Sequence, residues 1–155
     1  MRKLLFLLIL LMVPANAYSQ GTYDVSCSNV AWMEVIRIEA NRWNVQSPNK
    51  YFHVLYLELK HEAAKELVAL RKSQPTLHKV YRGDDYYPPD MIITANGKPL
   101  RNDIPAMTGF CIQGISIPII REEDAFAAAR QVCPALVPDK ITIDGHYDKE
   151  RTGQK

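Results

Sequence analysis

An α+β fold is predicted for this chain of 155 residues. Three observations predict it. An aromatic and β-branched run, Tyr51 to Leu59, has the makeup of a buried strand. Directly after it the apolar period lengthens from two to 3.6, the change from strand to helix. A second helical run, Arg121 to Cys133, follows two further extended segments, so strands and helices do not simply alternate.

Residues 1–17 come before the folded part. Arg2 and Lys3 precede an unbroken apolar run from Leu4 to Val13, and Ala15-Asn16-Ala17 has the small-x-small form of a cleavage site. That order is the pattern of a secretory signal peptide, and the expected mature chain starts at Tyr18. The run is about half the roughly 20 residues that a spanning helix needs, so no stable membrane insertion is expected after cleavage. The expected location is the periplasm or the exterior.

Residues 18–30 are polar and read as irregular. Ala31 to Ala40 alternates as a strand, with Trp32, Ile36 and Ile38 on one face and Glu34 as the exception to its apolar character. "NRWNVQSPNK", residues 41–50, is rich in turn formers and reads as a loop. Tyr51 to Leu59 has apolar residues on both faces, as a central strand requires. "HEAAKELVALRKS", residues 61–73, places Ala64, Leu67, Val68 and Arg71 on one helical face. Glu62 near its start and Arg71 and Lys72 near its end suit the helix dipole, and Pro75 closes it.

The stretch "DMIITANGKPL", residues 90–100, reads as strand, reversal and second strand, because Asn96-Gly97 tolerates the positive φ angles of a tight turn. Pro99 and Pro105 rule out a long central strand there. Phe110 to Ile119 is expected as one strand, with Phe110, Ile112 and Gly114 alternating with Cys111, Gln113 and Ile115. In "REEDAFAAARQVC" three acids crowd the positive end of a helix, Ala125, Ala129 and Val132 make a narrow inner face with Phe126 beside it, and Pro134 ends it. Lys140 to Gly145 reads as a last short strand, and residues 146–155 as a flexible tail.

From Tyr51 onward the order is β-α-β-β-α-β. That is the ferredoxin-like split βαβ arrangement, here with an additional N-terminal strand. An antiparallel sheet covered on one face by two helices is therefore expected, as a single domain over residues 18–145.

The chain has three cysteines, Cys27, Cys111 and Cys133, so three single pairings are possible. An exported domain meets oxidising conditions. Cys111 lies in an apolar run, where a thiol behaves as a small hydrophobe, whereas Cys27 and Cys133 flank elements. The expected disulfide is Cys27–Cys133.

Charge excludes some functions. Loss of Arg2 and Lys3 leaves seventeen basic and seventeen acidic residues in the expected mature chain, so neither nucleic acid nor an anionic lipid surface is the expected partner. The four histidines, His53, His61, His78 and His146, share no ligand spacing. "HEAAK" resembles half of a helical zinc-protease motif, but Lys65 stands where the second histidine would be. No G-x-S-x-G elbow and no glycine-rich phosphate loop occurs. The apolar neighbours of Cys111 do not activate a thiol. Neither a cofactor nor a metal is expected, and no catalysis.

One segment has the makeup of a contact surface. "YRGDDYYPPD", Tyr81 to Asp90, sits in a connection of about 15 residues, against the usual 4–6. Tyr81, Arg82, Asp84, Asp85, Tyr86 and Tyr87 are the candidate binding residues, since tyrosine and arginine are enriched at contact hot spots. Pro88-Pro89 would stiffen one end of the loop. The Arg82-Gly83-Asp84 tripeptide carries little information at that length.

Four segments together carry a family resemblance: "VLYLELKHEAAKELVAL", "MIITANGKPLRNDIP", "IQGISI" and "REEDAFAAA". Over roughly residues 51–133 the chain resembles the first periplasmic domain of the SecD/SecDF protein-export factors. Asn96-Gly97-Lys98 stands at that family's Asp-Gly-Lys turn, Gln113-Gly114 at its Ser-Gly position, and Glu122 to Ala125 at its helix opening. Lys60-His61 replaces the family's Thr-Pro cap. The resemblance implies a fold and a role in touching other polypeptides. It implies no reaction, because the membrane helices that couple protons to export have no counterpart here. The expected function is that of an exported binding domain with a protein partner in the cell envelope. The alternative is a periplasmic immunity or inhibitor protein that blocks a toxin or hydrolase.

Overall fold

The computed structural model describes residues 21–73, 92–111 and 113–143. The leader over 1–17, the Tyr81–Asp90 segment and the tail over 146–155 lie outside the described residues.

The described chain is α+β, with two helices and two sheets. Its strands are β1 (Thr22–Val25), β2 (Val30–Glu39), β3 (Tyr51–Leu59), β4 (Ile92–Ala95), β5 (Lys98–Pro99), β6 (Gly109–Phe110), β7 (Gly114–Ile119) and β8 (Ile141–Ile143). The helices are α1 (His61–Ser73) and α2 (Glu122–Val132). Single 3-10 turns cover Cys27–Asn29, Ala40–Trp43, Pro105–Met107 and Pro134–Leu136. Among the described residues no helix is long and apolar enough to cross a membrane.

The strand order departs from the expected split βαβ layer. The larger sheet runs β6-β7-β3-β2-β8, and β1-β4-β5 forms a separate three-stranded sheet. The front strand β2 is interior, paired antiparallel with β3 and parallel with β8, so the sheet is mixed. Part of the reason lies in β2 itself. Its ten residues bury Met33 and Val35 on one face and Ile36 and Ile38 on the other, which suits an interior strand without dictating its neighbours. With that place taken, β4 pairs in parallel with β1, a short strand inside the segment expected to be irregular.

The expected strand over Phe110–Ile119 is broken. β6 and β7 fold against each other, with Phe110 opposite Ile115 and the Cys111 N–H donating to the Gly114 carbonyl at 3.0 Å. Gly114 marks the break because Tyr56 lies against it. A Cβ there would sit 2.5 Å from the Tyr56 hydroxyl oxygen and 2.6 Å from the Leu57 carbonyl oxygen. The Asn96-Gly97 reversal forms as expected, with φ of 53° and 83°.

Both helices lie on one face of the larger sheet. Ala63, Ala64 and Leu67 of α1 and Ala125, Ala128, Ala129 and Val132 of α2 join one core with Val35, Leu55, Leu57, Ile115, Ile117 and Ile119. The alanines let α2 lie close across β2, β3 and β7. Burying each of the larger aliphatic side chains contributes roughly 1.5–3 kcal/mol.

The small sheet is fixed to the C-terminal end of α2. Cys27 and Cys133 form the expected disulfide, with Cα atoms 4.8 Å apart. Beside it the Asn96 side-chain amide donates to the Gln131 and Val132 carbonyls at 3.1 and 3.3 Å. These are carbonyls that a helix end leaves without intrahelical partners. Gln131 answers by donating to the Pro99 carbonyl at 3.0 Å. The carboxylate of Asp24 on β1 accepts from the Thr94 hydroxyl at 2.6 Å and the Gly97 N–H at 2.8 Å. These two hydrogen bonds, the hydroxyl first, hold the Asp24 carboxyl below the usual carboxylate range.

Candidate interaction face

The other face of the larger sheet carries no α-helix among the described residues. Its lower half is closed by loops. Ile36, Ile38, Phe52 and Tyr56 are buried there with Ala40, and Val45, Val54, Met107 and Cys111 pack against them. Its upper half stays open around Trp32, which is 43% exposed.

One short pattern is used twice where the two halves meet, with Trp32 exposed and Tyr56 buried beneath it. Trp-Met-Glu at 32–34 on β2 and Tyr-Leu-Glu at 56–58 on β3 each place an aromatic and an acid two residues apart. Side chains two apart on a strand share a face. The strands are antiparallel, so Trp32 stands opposite Glu58 and Glu34 opposite Tyr56. Aromatic and acid thus alternate around a four-residue square.

Contacts hold the square in place. The Trp32 and Tyr56 rings are tilted against each other with centroids 5.3 Å apart, a geometry that stabilises by about 0.5–1.5 kcal/mol beyond burial. The Tyr56 hydroxyl donates to Glu58 and has the Cys111 sulfur 3.8 Å away. Glu34 accepts from the Thr142 hydroxyl at 3.0 Å. Glu34 and Glu58 are half-buried, and neither forms an ion pair among the described residues. Removing the methyl-sized space at Gly114 would push Tyr56 away, so the glycine is part of the support of this face.

Tyr81, Arg82, Asp84, Asp85, Tyr86 and Tyr87 all lie outside the described residues, as do His78 and His146. His53 is 5% exposed on β3, facing the helices, with its Nδ1 2.9 Å from the Ile120 carbonyl oxygen. His61 is exposed at the start of α1, and the Lys65 ammonium lies 3.6 Å from Glu62. Cys111 is outside the disulfide and partly buried beside Tyr56. Among the described residues no three His, Cys, Asp or Glu side chains gather as a metal set.

The first turn of α2 carries three acids, Glu122, Glu123 and Asp124. Arg37 donates to Glu122 at 3.0 Å, and Arg101 reaches Asp103 at 2.9 Å and Asp124 at 3.4 Å. The hydrogen bond from Arg121 and the charge it brings help hold the exposed Glu123 below the usual carboxylate range, after the larger effect of Glu123's own backbone N–H. These pairs gather at that end of the sheet, where the buried Asp124 Oδ2 has charged neighbours in Arg101 and Arg121 but no hydrogen bond among the described residues.

The square was missed in the sequence because Glu34 reads as an interruption of an apolar face. The signal was the repeated aromatic-x-Glu on two neighbouring strands. Comparison of the chain with protein-family models, with curated proteins and with solved structures gives no match.

Proposed function

We propose that this chain is an exported binding domain, SecD-like in character, that contacts another protein in the cell envelope and carries out no reaction. One observation carries the reading. A tryptophan held against a tyrosine stands open on a sheet face that no described helix covers. Rigid aromatic side chains are the ones most enriched at contact hot spots. The Tyr81–Asp90 loop is proposed as a second part of the contact, on its composition.

Two further observations support export. The leader over residues 1–17 has the order of a signal peptide. The Cys27–Cys133 bond belongs in an oxidising compartment. The Asn96-Gly97 turn and the acidic run Glu122 to Asp124 are among the sequence motifs on which the proposed likeness to the export-factor domain rests.

Affinity capture from envelope extract, read by mass spectrometry, tests the proposal. The wild-type protein is expected to retain a discrete partner, and Trp32→Ala is expected to lose most of it while staying folded at the capture temperature, with an unfolding temperature lowered by several degrees through loss of the Tyr56 contact. Equal retention by wild type and Trp32→Ala would remove this face from the contact. A captured hydrolase or toxin would favour the inhibitor role, and an envelope-assembly or export component the SecD-like one.

A further inference from the structure

The charge of the open face goes further than its shape. The expected mature chain is balanced in charge. This face is not. On it, β2 presents Trp32, Glu34, Ile36 and Ile38, and β3 presents Glu58, Tyr56, Val54 and Phe52. The side chains that β7 and β8 add in register are those of Ser116, Pro118 and Thr142. The strands therefore bring two charges to this face, and both are negative.

Arg37 and Arg121 are engaged with acids on the helical side, and among the described residues neither Glu34 nor Glu58 has a cation of its own. Each glutamate is instead oriented by one hydroxyl, Glu34 by Thr142 and Glu58 by Tyr56. One hydroxyl leaves most of a carboxylate's acceptor positions unused. Between the two acids lies the Trp32 ring, the side chain whose face attracts a cation most strongly.

We infer that Trp32, flanked by Glu34 and Glu58 and backed by the buried Tyr56, is a docking site for a lysine or arginine side chain on an exposed segment of the protein partner. This rests on the binding-domain reading and names the chemistry of the partner. A cation placed over Trp32 would have a carboxylate on either side, and its aliphatic stem would lie along the indole. β2 and β3 are both interior strands, so the partner docks by its side chains and adds no strand. A neutral or acidic segment would leave two half-buried carboxylates desolvated without compensation.

The probe is a synthetic peptide of alternating lysine and serine, with a glutamine-for-lysine copy as control. The readout is the indole N–H resonance of Trp32 in the exported protein, assigned with Trp32→Phe. The lysine peptide is expected to shift it saturably, and the glutamine copy to leave it in place. Glu34→Gln with Glu58→Gln keeps an acceptor for each hydroxyl and is expected to weaken binding about tenfold, as loss of two partly exposed charge pairs does. Added salt is expected to weaken the wild type and not the variant.

Equal response to both peptides, an unmoved Trp32 resonance, or equal affinity in the double variant would overturn the inference. So would a Trp32 shift that follows protein concentration alone, which would assign the face to a second copy. None of these outcomes touches the capture experiment, which reads retention of a partner whatever its charge.

Discussion

Removing the Cys27–Cys133 bond is expected to take away a large part of the domain's stability. The two cysteines are 106 residues apart in sequence. A cross-link closing a loop of about 100 residues restricts the unfolded chain by about 4.7 kcal/mol on the chain-entropy account. Measured losses for native bridges are about 2–5 kcal/mol. The Asn96 contacts to α2 and the Asp24 contacts to β4 remain after the bond is cut, so part of the attachment of the small sheet survives. A loss of about 3–4 kcal/mol is therefore expected, against about 5–15 kcal/mol for a whole domain. The variant to use is Cys27→Ala with Cys133→Ala, because a serine hydroxyl at the buried Cys133 position would add its own desolvation cost. Urea unfolding followed by circular dichroism reads the change. With a slope of about 2 kcal/mol/M, the midpoint should fall by about 1.5–2 M. Dithiothreitol should move the wild type to the same place, and Cys111→Ala should move it little. A loss below about 1 kcal/mol, or a wild-type midpoint insensitive to reduction, would refute the assigned role of the bond.

Gly114→Ala places a methyl group against the Leu57 carbonyl, which cannot swing aside as a side chain could. A cost of about 1–3 kcal/mol is expected, together with a changed near-ultraviolet signal from the Trp32–Tyr56 pair; a variant as stable as the wild type would show that Tyr56 does not lie there. The pH dependence follows from two groups on β1. Asp24 is held below its unfolded value of about 3.9, so its contribution is present above that pH and is lost as pH falls through the folded value. Asp24→Asn should flatten the acid limb of the stability curve below about pH 4, and an unchanged limb would contradict the Thr94 and Gly97 contacts. Burial first, then the charges of Glu66 and Asp24, raise the Tyr23 hydroxyl above its ordinary value near 10. Its contribution is complete below about pH 10 and is lost above it, so Tyr23→Phe should unfold less readily in alkali.

The elements were legible where one physical signal dominated. Tyr51–Leu59 and residues 61–73 form over the spans the sequence predicts, because a doubly apolar run and a clean change of period leave little competition. The Asn96-Gly97 turn was legible because few residue pairs accept two positive φ angles. The disulfide was legible from where Cys27 and Cys133 fall relative to their elements. Strand order was not legible. Nothing local in β2 says that it will separate β3 from β8, and the parallel pairing of β1 with β4 joins segments about seventy residues apart. Tyr23 and Val25 do alternate inward, but four residues are too few for a period to stand out. The break at Gly114 was hidden because Phe110 to Ile119 reads as one alternating strand. The approach of the Tyr56 ring and of the Leu57 carbonyl explains the glycine. The candidate face was half legible: each aromatic-x-Glu pair is visible, but their juxtaposition depends on the β2–β3 register.

Site-specific photocrosslinking tests the central claim most directly. Benzoylphenylalanine at position 32 lies on the open sheet face, and at position 127 it lies on the exposed side of α2. Irradiation in envelope extract is predicted to give a discrete protein adduct from position 32 and none from position 127. No adduct from position 32, or the same adduct from both, would contradict the account.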